Sequence, residues 1–481
     1  MGTDKGTTAA DDVRALLDGL DRAADDRVAI VAILWTWLEH HLLHLGSLLE
    51  KPLVIRAKAL DEPDFVRFDE DERARLMAAP LRNAAELLAR IEITLTRDQP
   101  IESATEAVGV DGSEVFVMWR RPRLATRAGN DADRPPEADE HPSLSALAPR
   151  LVVCPTVHRD IELHVIRPGS DGWVAVEALL EQGVVGADPT LSVHLDTLGD
   201  AGLSGWLERE DVEVGWFDAA AMDPEDERIC HDSAVAAVEA ASGPASLLVL
   251  PELCATPRTL DAVTAAIVAA DEAPALTFVG LRHRPIAASE PSAIEPELLG
   301  DAVLATHVNE AVVIGPDGEP LWSHVKLSCA QGPQPRLLSD GTQPLAATED
   351  IVLGRTLQVV PSPIGTIAVV ICLDSFADHV RDRLARSGAD VLIVPSLSPR
   401  VHRHRDSLQH LVQRLWAIAF VCNRDFAVPS DGTTTWDEEH NRSFWAIQRK
   451  RLRPPTRADD RPAFIFRLAD HVRSQTSNAQ V

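Results

Sequence analysis

The sequence predicts an α/β domain of roughly 260 residues behind a mainly helical N-terminal region. Three observations carry this reading. From about Val212 onward, apolar runs of strand length alternate with amphipathic helical stretches. Two of those runs fold back on themselves through turns built on Pro and Gly. The first 125 residues instead place apolar side chains at three- and four-residue intervals. With 481 residues, the chain is long enough for several cores of the usual ~150-residue size.

Taken in order, helices are expected over Asp11 to Leu20, Arg27 to Leu49 and Glu72 to Ile93, with a polar break at Asp61-Glu62-Pro63-Asp64. The carboxylates crowded between Asp61 and Glu72 read as a solvated face, with a partner-docking face as the alternative. This helical region spans 1–126. The polar, proline-rich stretch 127–145 cannot bury a core and is expected to be a linker. Residues 146–205 carry short strand-like runs (LVVCPTV, IELHVI, WVAVEALL) and form a small mixed segment to which the sequence assigns no role. The α/β domain is expected over 206–470. Its elements are the strand VEVGWFD, a helix through His231 to Ala241, the strand SLLVLPEL, a helix through Leu260 to Ala270 and the strand LTFVGLRH. The hairpin AVVIGPDGEPLWSHVKL follows, turning at Pro316-Asp317-Gly318, and then the hairpin LQVVPSPIGTIAVVIC, turning near Pro363 to Gly365. A helix through Val380 to Ala385, the strand ADVLIVPS, a helix from Asp406 to Ala417 and the strand AFVCN complete it.

The formal charge of −28 argues against general affinity for nucleic acid or an anionic membrane. The longest apolar run, Val28 to Leu38, is about half the roughly 20 residues a spanning helix needs. The first residues show no apolar signal core, and the chain reads as cytoplasmic. Its six cysteines lack paired spacing and are expected to be reduced thiols. Tyrosine is absent, so no phenol can act as acid or donor. Lysine occurs only at Lys5, Lys51, Lys58, Lys326 and Lys450, while arginine serves as the general cation.

Three residues stand where predicted strands of the α/β domain hand over to loops, the edge at which such sheets build sites. Glu252 follows SLLVLP, Lys326 ends the first hairpin and Cys372 ends TIAVVIC. A thiol ionising near pH ~8.5 needs a cation and a base beside it to become a nucleophile. Lys326 and Glu252 could supply them, with a helix N-terminus just beyond Cys372 adding positive potential. Attack on an amide carbonyl would then place an oxyanion before the Lys326 ammonium and the backbone N–H of Leu373. Glu252 would serve as base for the thiol and later for water.

These segments, LLVLPEL with Glu252, SHVKLS with Lys326 and GTIAVVICLDSF with Cys372, resemble in order and spacing the three signatures of the nitrilase, or carbon–nitrogen hydrolase, superfamily. GADVLIVPS and FVCNRD are similar to that family as well, and the resemblance covers about 206–470. It implies a four-layer αββα sandwich, Glu-Lys-Cys thioester catalysis, no metal or organic cofactor, and a homodimer or larger homo-oligomer. The sequence departs from the family pattern in three respects, two of them being Leu373 where many amidase members have an aromatic residue and Ser375 where many have a basic one. Members often carry a second glutamate soon after the lysine, whereas here no carboxylate precedes Asp340, Glu349 and Asp350. Asp374 is similar to the amidase branches, so the expected substrate is a small amide or carbamoyl compound and not a nitrile.

Asp374, His402 and His404 are candidate pocket-rim residues. The cluster of His402, His404 and His410 with Arg400, Arg403 and Arg405 would favour an acidic substrate, against a plain solvated loop. His40 and His44 share a helical face but lack a third ligand, so no metal site is expected. The basic run from Arg442 to Arg457 is taken as solvated surface. The alternative to a hydrolase is a nitrilase-fold platform for a protein partner, suggested by the missing supporting glutamate and the long N-terminal region. Residues 1–126 would be the surface for such a partner.

Overall fold

A computed structural model describes residues 9–41, 65–98, 108–110, 113–119, 124–125, 128, 151–169, 171–185, 188–198, 207–208, 215–220, 222, 224–243, 245–286, 298–299, 303–304, 307–333, 346–349, 351–398, 401–415, 417–424, 443–447 and 463–471. The chain divides into two compact units. The expected linker lies outside the described residues except at Ala128, and His44 and the basic residues of the run Arg442 to Arg457 lie outside them as well.

The first unit contains α1 (Ala9–Ala23), α2 (Arg27–His40), α3 (Glu70–Ala78), α4 (Pro80–Asp98) and an antiparallel sheet of β1 (Val108–Val110), β2 (Ser113–Trp119) and β3 (Leu151–Pro155). The single helix expected over Glu72 to Ile93 is two. Pro80 has no N–H to continue the α3 ladder but suits the first turn of a new helix. Asp69 caps α3 by accepting from the backbone N of Glu72 at 3.0 Å.

Among the described residues, the second unit holds two large sheets and three smaller ones. The first runs β9 (Pro320–Val325), β8 (Glu310–Ile314), β7 (Leu276–Gly280), β6 (Ser246–Val249), β5 (Ser192–Asp196) and β15 (Ala463–Arg467). Its centre is parallel, β7 to β6 to β5, and its flanks are antiparallel. The second sheet has β14 (Phe444–Ile447), β13 (Ile418–Asn423), β12 (Val391–Ser396), β11 (Ile367–Val369), β10 (Thr356–Val360) and β4 (Ile161–Val165). Both hairpins pair antiparallel, β8 with β9 and β10 with β11. Gly318 takes φ +83 in the first turn, a dihedral that a side chain would strain.

Strand periodicity explains the layers. In β6 the side chains of Leu247 and Val249 enter a core shared with Val369, Val391, Ile393 and Phe420 of the facing sheet. Leu248 and Leu250 point the other way, against α6 (Pro224–Ala240) and α7 (Pro257–Ala269), through Ala234, Val238, Val263 and Ile267. On the far side of the second sheet, α9 (Val401–Leu415) packs against β13 and β14, with α8 (Asp378–Ala385) beside it. This helix–sheet–sheet–helix order is the sandwich that the sequence resemblance implied.

Two readings of 146–205 change. The run WVAVEALL lies in a helix, α5 (Asp171–Val184), and not in a strand. Trp173, Val176, Leu180 and Val184 are its buried positions, a helical spacing masked by the local alternation of the run. The segment also has a role, because β4 and β5 pair inside the two sheets, with β5 against the central β6. The sandwich therefore draws on residues before 206.

His194 on β5 is pushed down to about 4, first by burial and then by the charge of Arg467. Its folded value lies below the unfolded one, so stability is fully present above about pH 6.5 and is lost as pH falls toward 4. The whole effect is about 3 kcal/mol at most, less the screening at a partly buried ring. His194→Gln is expected to flatten the acid limb of urea midpoints between pH 6.5 and 4, and an unchanged limb would refute the assignment.

Candidate active site

Glu252 lies just past β6 and Lys326 just past β9 in one sheet, while Cys372 follows β11 and Leu397 follows β12 in the other. Their strand ends face each other across the sandwich. Two residues turn sharply there in the left-handed region, Leu253 at φ +55 and Cys372 at φ +44. Each costs about 1–2 kcal/mol, which the surrounding packing sustains. Beyond Leu253 the chain enters α7, capped by Thr256 Oγ1, which accepts from the backbone N of Thr259 at 3.2 Å. The Glu252 turn lies directly on Gly280, whose carbonyl accepts from Cys254 N and Ala255 N. A Cβ on Gly280 would stand 2.2 Å from Pro251 O and 2.6 Å from Glu252 Cα, so only glycine permits this approach.

The centre of the site is a buried charge cluster. Lys326 Nζ donates to Glu252 Oε1 and to Glu349 Oε2, each at 2.7 Å. Asn309 Nδ2 donates to the same two carboxylates, at 2.8 Å to Glu252 Oε1 and 2.7 Å to Glu349 Oε1. Leu397 N donates to Glu252 Oε2 at 3.1 Å. Glu349 is the second glutamate that the sequence left unlocated. It ends a short strand, Ala346–Glu349, that pairs in parallel with Gly215–Asp218, and its Oε2 also accepts from Ala330 N at 3.0 Å. His283 supports it from behind. Ala219 N donates to His283 Nδ1, so Nε2 carries the proton that reaches Glu349 Oε1 at 2.9 Å.

The electrostatics follow from this packing. Burial alone would pull the Lys326 ammonium down, but Glu252 and Glu349 outweigh it and hold the lysine well above its usual value. Burial opposes the charge on Glu349, yet Lys326 and His283 keep it well below the usual carboxylate range. The thiol of Cys372 is pushed up, first by burial and then by the Glu252 charge, against the opposing pull of Lys326, Leu397 N–H and Ser396. The nearby positive charge thus does not overcome desolvation. Cys372 stays 8% exposed.

Glu252, Lys326 and Cys372 are thus brought together, with Leu373 in the first turn of the 3-10 helix Cys372–Ser375. The other candidates are placed differently. Asp374 is not at a rim. It is fully buried and accepts from Leu327 N at 3.0 Å and Ile371 N at 3.0 Å, tying the segment after Lys326 to the turn that carries Cys372. His404 is also fully buried, with Nε2 at 3.9 Å from Cys372 Sγ. The loop expected around it is the first turn of α9, which begins at Val401. His402 lies in the same turn, and its side chain is outside the described residues. His410 is exposed and lines a separate surface pocket with Arg159, Asp378, Arg381 and Asp382. Sequence reasoning missed Asn309, His283, Ser375 and Ser396.

The family model described as carbon-nitrogen hydrolase matches residues 221–447. No curated protein matches the chain. Among solved structures, the chain is similar to an amidase from Nesterenkonia sp., at 14% identity over 62% of this chain and 98% of that one, with TM-score 0.35. It is also similar to Saccharomyces cerevisiae Nit3, a member of branch 10 of the nitrilase superfamily, at 14% identity over 61% and 96%, with TM-score 0.36. A glutamine-dependent NAD+ synthetase from Acinetobacter baumannii aligns at 15% identity over 57% of this chain, with TM-score 0.35, and this chain spans only 45% of its length. Among the described residues no helix is long and apolar enough to cross a membrane. The matched segment, folded into a two-sheet sandwich, makes the C-terminal part of this chain a carbon–nitrogen hydrolase domain of the nitrilase type.

Proposed function

We propose that the protein is a hydrolase that cleaves a non-peptide carbon–nitrogen bond of a small amide or carbamoyl substrate through a thioester on Cys372. The observation that carries this reading is the Lys326 ammonium held between Glu252 and Glu349 at 2.7 Å each. Two of its three N–H groups are spent on carboxylates, and the third is left for a developing oxyanion. With the backbone N–H of Leu373, it would hold the charge that forms when sulfur attacks the carbonyl. Departure of the amine leaves the thioester. Glu252 then takes a proton from water at Oε2, the resulting hydroxide adds to the carbonyl carbon, and the C–S bond breaks with its electron pair on sulfur.

The platform reading was suggested partly by the unlocated second glutamate, and Glu349 beside Lys326 removes that motive. The test is a panel of amides, ureides and nitriles scored for ammonia release, with intact-protein mass spectrometry on the slowest substrate. The expected result is an acyl mass on Cys372 during turnover of an amide or ureide. Acylation of another cysteine would defeat the reading.

A further inference from the structure

Two buried carboxylates meet the same ammonium, and what sets them apart is the number of donors each receives. A carboxylate offers about four acceptor positions, two on each oxygen. Lys326 Nζ and Asn309 Nδ2 donate to both groups and so favour neither. Among the described residues, Glu252 receives one further donor, Leu397 N on Oε2, which leaves a position on that oxygen open. Glu349 receives two more, Ala330 N on Oε2 and His283 Nε2 on Oε1, and is filled. We infer that His283 is a positioning residue for the reaction: it supplies the fourth bond to Glu349, fixes the negative charge there, and leaves Glu252 Oε2 as the place where the moving proton is held. This inference deepens the hydrolase reading above and rests on it.

The fold dictates how the imidazole is presented. Ala219 N is a backbone donor and meets Nδ1 at 2.9 Å, so that nitrogen accepts and the ring proton stands on Nε2, 2.9 Å from Glu349 Oε1. The side chains of His283 and Glu349 are 0% and 1% exposed, so bulk water does not compete for the bond. Burial works against the charge on Glu349, Lys326 does most to restore it, and the His283 bond comes next. Ala219 directly follows Gly215–Asp218, the strand that pairs with Ala346–Glu349. The segment that delivers Glu349 to the lysine therefore also sets the tautomer of the histidine behind it.

The open position on Glu252 is the useful one. Leu397 N, which donates to Glu252 Oε2, also acts on the Cys372 thiol, so that oxygen and the sulfur share a neighbour. When water attacks the thioester, one of its O–H bonds breaks, the proton goes to Oε2, and the pair left on the water oxygen forms the new C–O bond while the carbonyl π pair moves to oxygen. On collapse the C=O bond re-forms, the C–S bond breaks with its pair on sulfur, and sulfur takes the proton back from Oε2. A proton held on Glu349 instead would leave Lys326 with a weaker counter-charge and would not be returned to sulfur. The His283 bond disfavours that state.

Two substitutions separate the two bonds of the histidine. His283→Gln keeps a donor for Glu349 and gives up the acceptor for Ala219 N, whereas His283→Asn keeps the acceptor and is too short to reach the carboxylate. The values of kcat and KM for ammonia release from the best amide or ureide of the panel would be measured on the full-length proteins, with urea midpoints alongside. His283→Asn is expected to lower kcat by about 10–10²-fold and to leave KM within about threefold, because proton placement counts in the transition state and not in binding. His283→Gln is expected to hold kcat within about fivefold of the unaltered protein, even if its midpoint falls further. A histidine that only packs, or only satisfies Ala219, would give the reverse ranking, with His283→Gln the poorer enzyme. That ranking overturns the inference, as does a folded His283→Asn protein with the unaltered kcat. Each variant decides alone if the other does not fold, since kcat lost in His283→Gln or kept in His283→Asn is enough to reject the role. If the unaltered protein releases no ammonia from any member of the panel, the hydrolase reading itself fails and takes this inference with it. An active unaltered protein with either rejecting result removes the role of His283 alone.

Discussion

Lys326→Met is expected to cost about 3–5 kcal/mol of stability and to abolish turnover. The Lys326 ammonium lies between two carboxylates that are 2% and 1% exposed. Without it, Glu252 and Glu349 would share a buried site bridged mainly by the Asn309 amide, and one of them would have to bind a proton or the loops would have to open. Arginine is no substitute, since a planar fork does not fit a site built for a compact ammonium. The loss should depend on pH in a fixed sense. The folded value of Lys326 is raised, so its contribution is present below about pH 10.4 and disappears as pH rises through the folded value. Glu349 is depressed, so its contribution is present above about pH 4.3 and disappears as pH falls. The difference from wild type should therefore be widest between those limits, measured as urea midpoints. Adding Glu349→Gln to Lys326→Met should return part of the stability and none of the turnover. A single variant with an unchanged midpoint would contradict the electrostatic account.

Cys372→Ala should behave in the opposite way, with ammonia release falling on the order of 10⁶-fold, as when a hydrolase loses its nucleophile, and stability shifting by only about 1 kcal/mol. The resting thiol is held neutral by burial, so its removal strands no charge. The small side chain fills little space, and the backbone keeps the same left-handed turn. Both quantities can be read on one preparation, through ammonia release and a urea midpoint. Residual turnover within tenfold of wild type would sink the nucleophile assignment, and a midpoint loss comparable to that of Lys326→Met would mean that Cys372 is chiefly structural.

The parts of the site legible in the sequence were those at strand ends. Glu252 and Cys372 each close an apolar run and Lys326 ends a hairpin strand, so topology gathers them. Glu349 was harder because 23 residues separate it from Lys326. It is delivered by pairing with a strand from before α6, a long-range event with no local signature. His404 was misplaced for a different reason. The basic run around it suggests a solvated loop, yet Val401, His404, Leu408, Leu411 and Leu415 share one buried helical face. That spacing was the available signal, and it placed a histidine where the pattern calls for a hydrophobe. In α5 the same kind of error arose from a run too short to separate a period of two from one of 3.6.

The way the first sheet is completed bears on how the protein can be handled. Its central strand, Ser246–Val249, is flanked by Ser192–Asp196, which is in turn flanked by Ala463–Arg467, and both lie beyond the ends of the matched segment. Cutting the gene at the borders of that segment would strip two neighbours from the sheet and leave the backbone of Ser246–Val249 open along one side. Such a fragment should self-associate, so shortened versions made for crystallisation or assay need to begin ahead of Ile161 and run past Arg467.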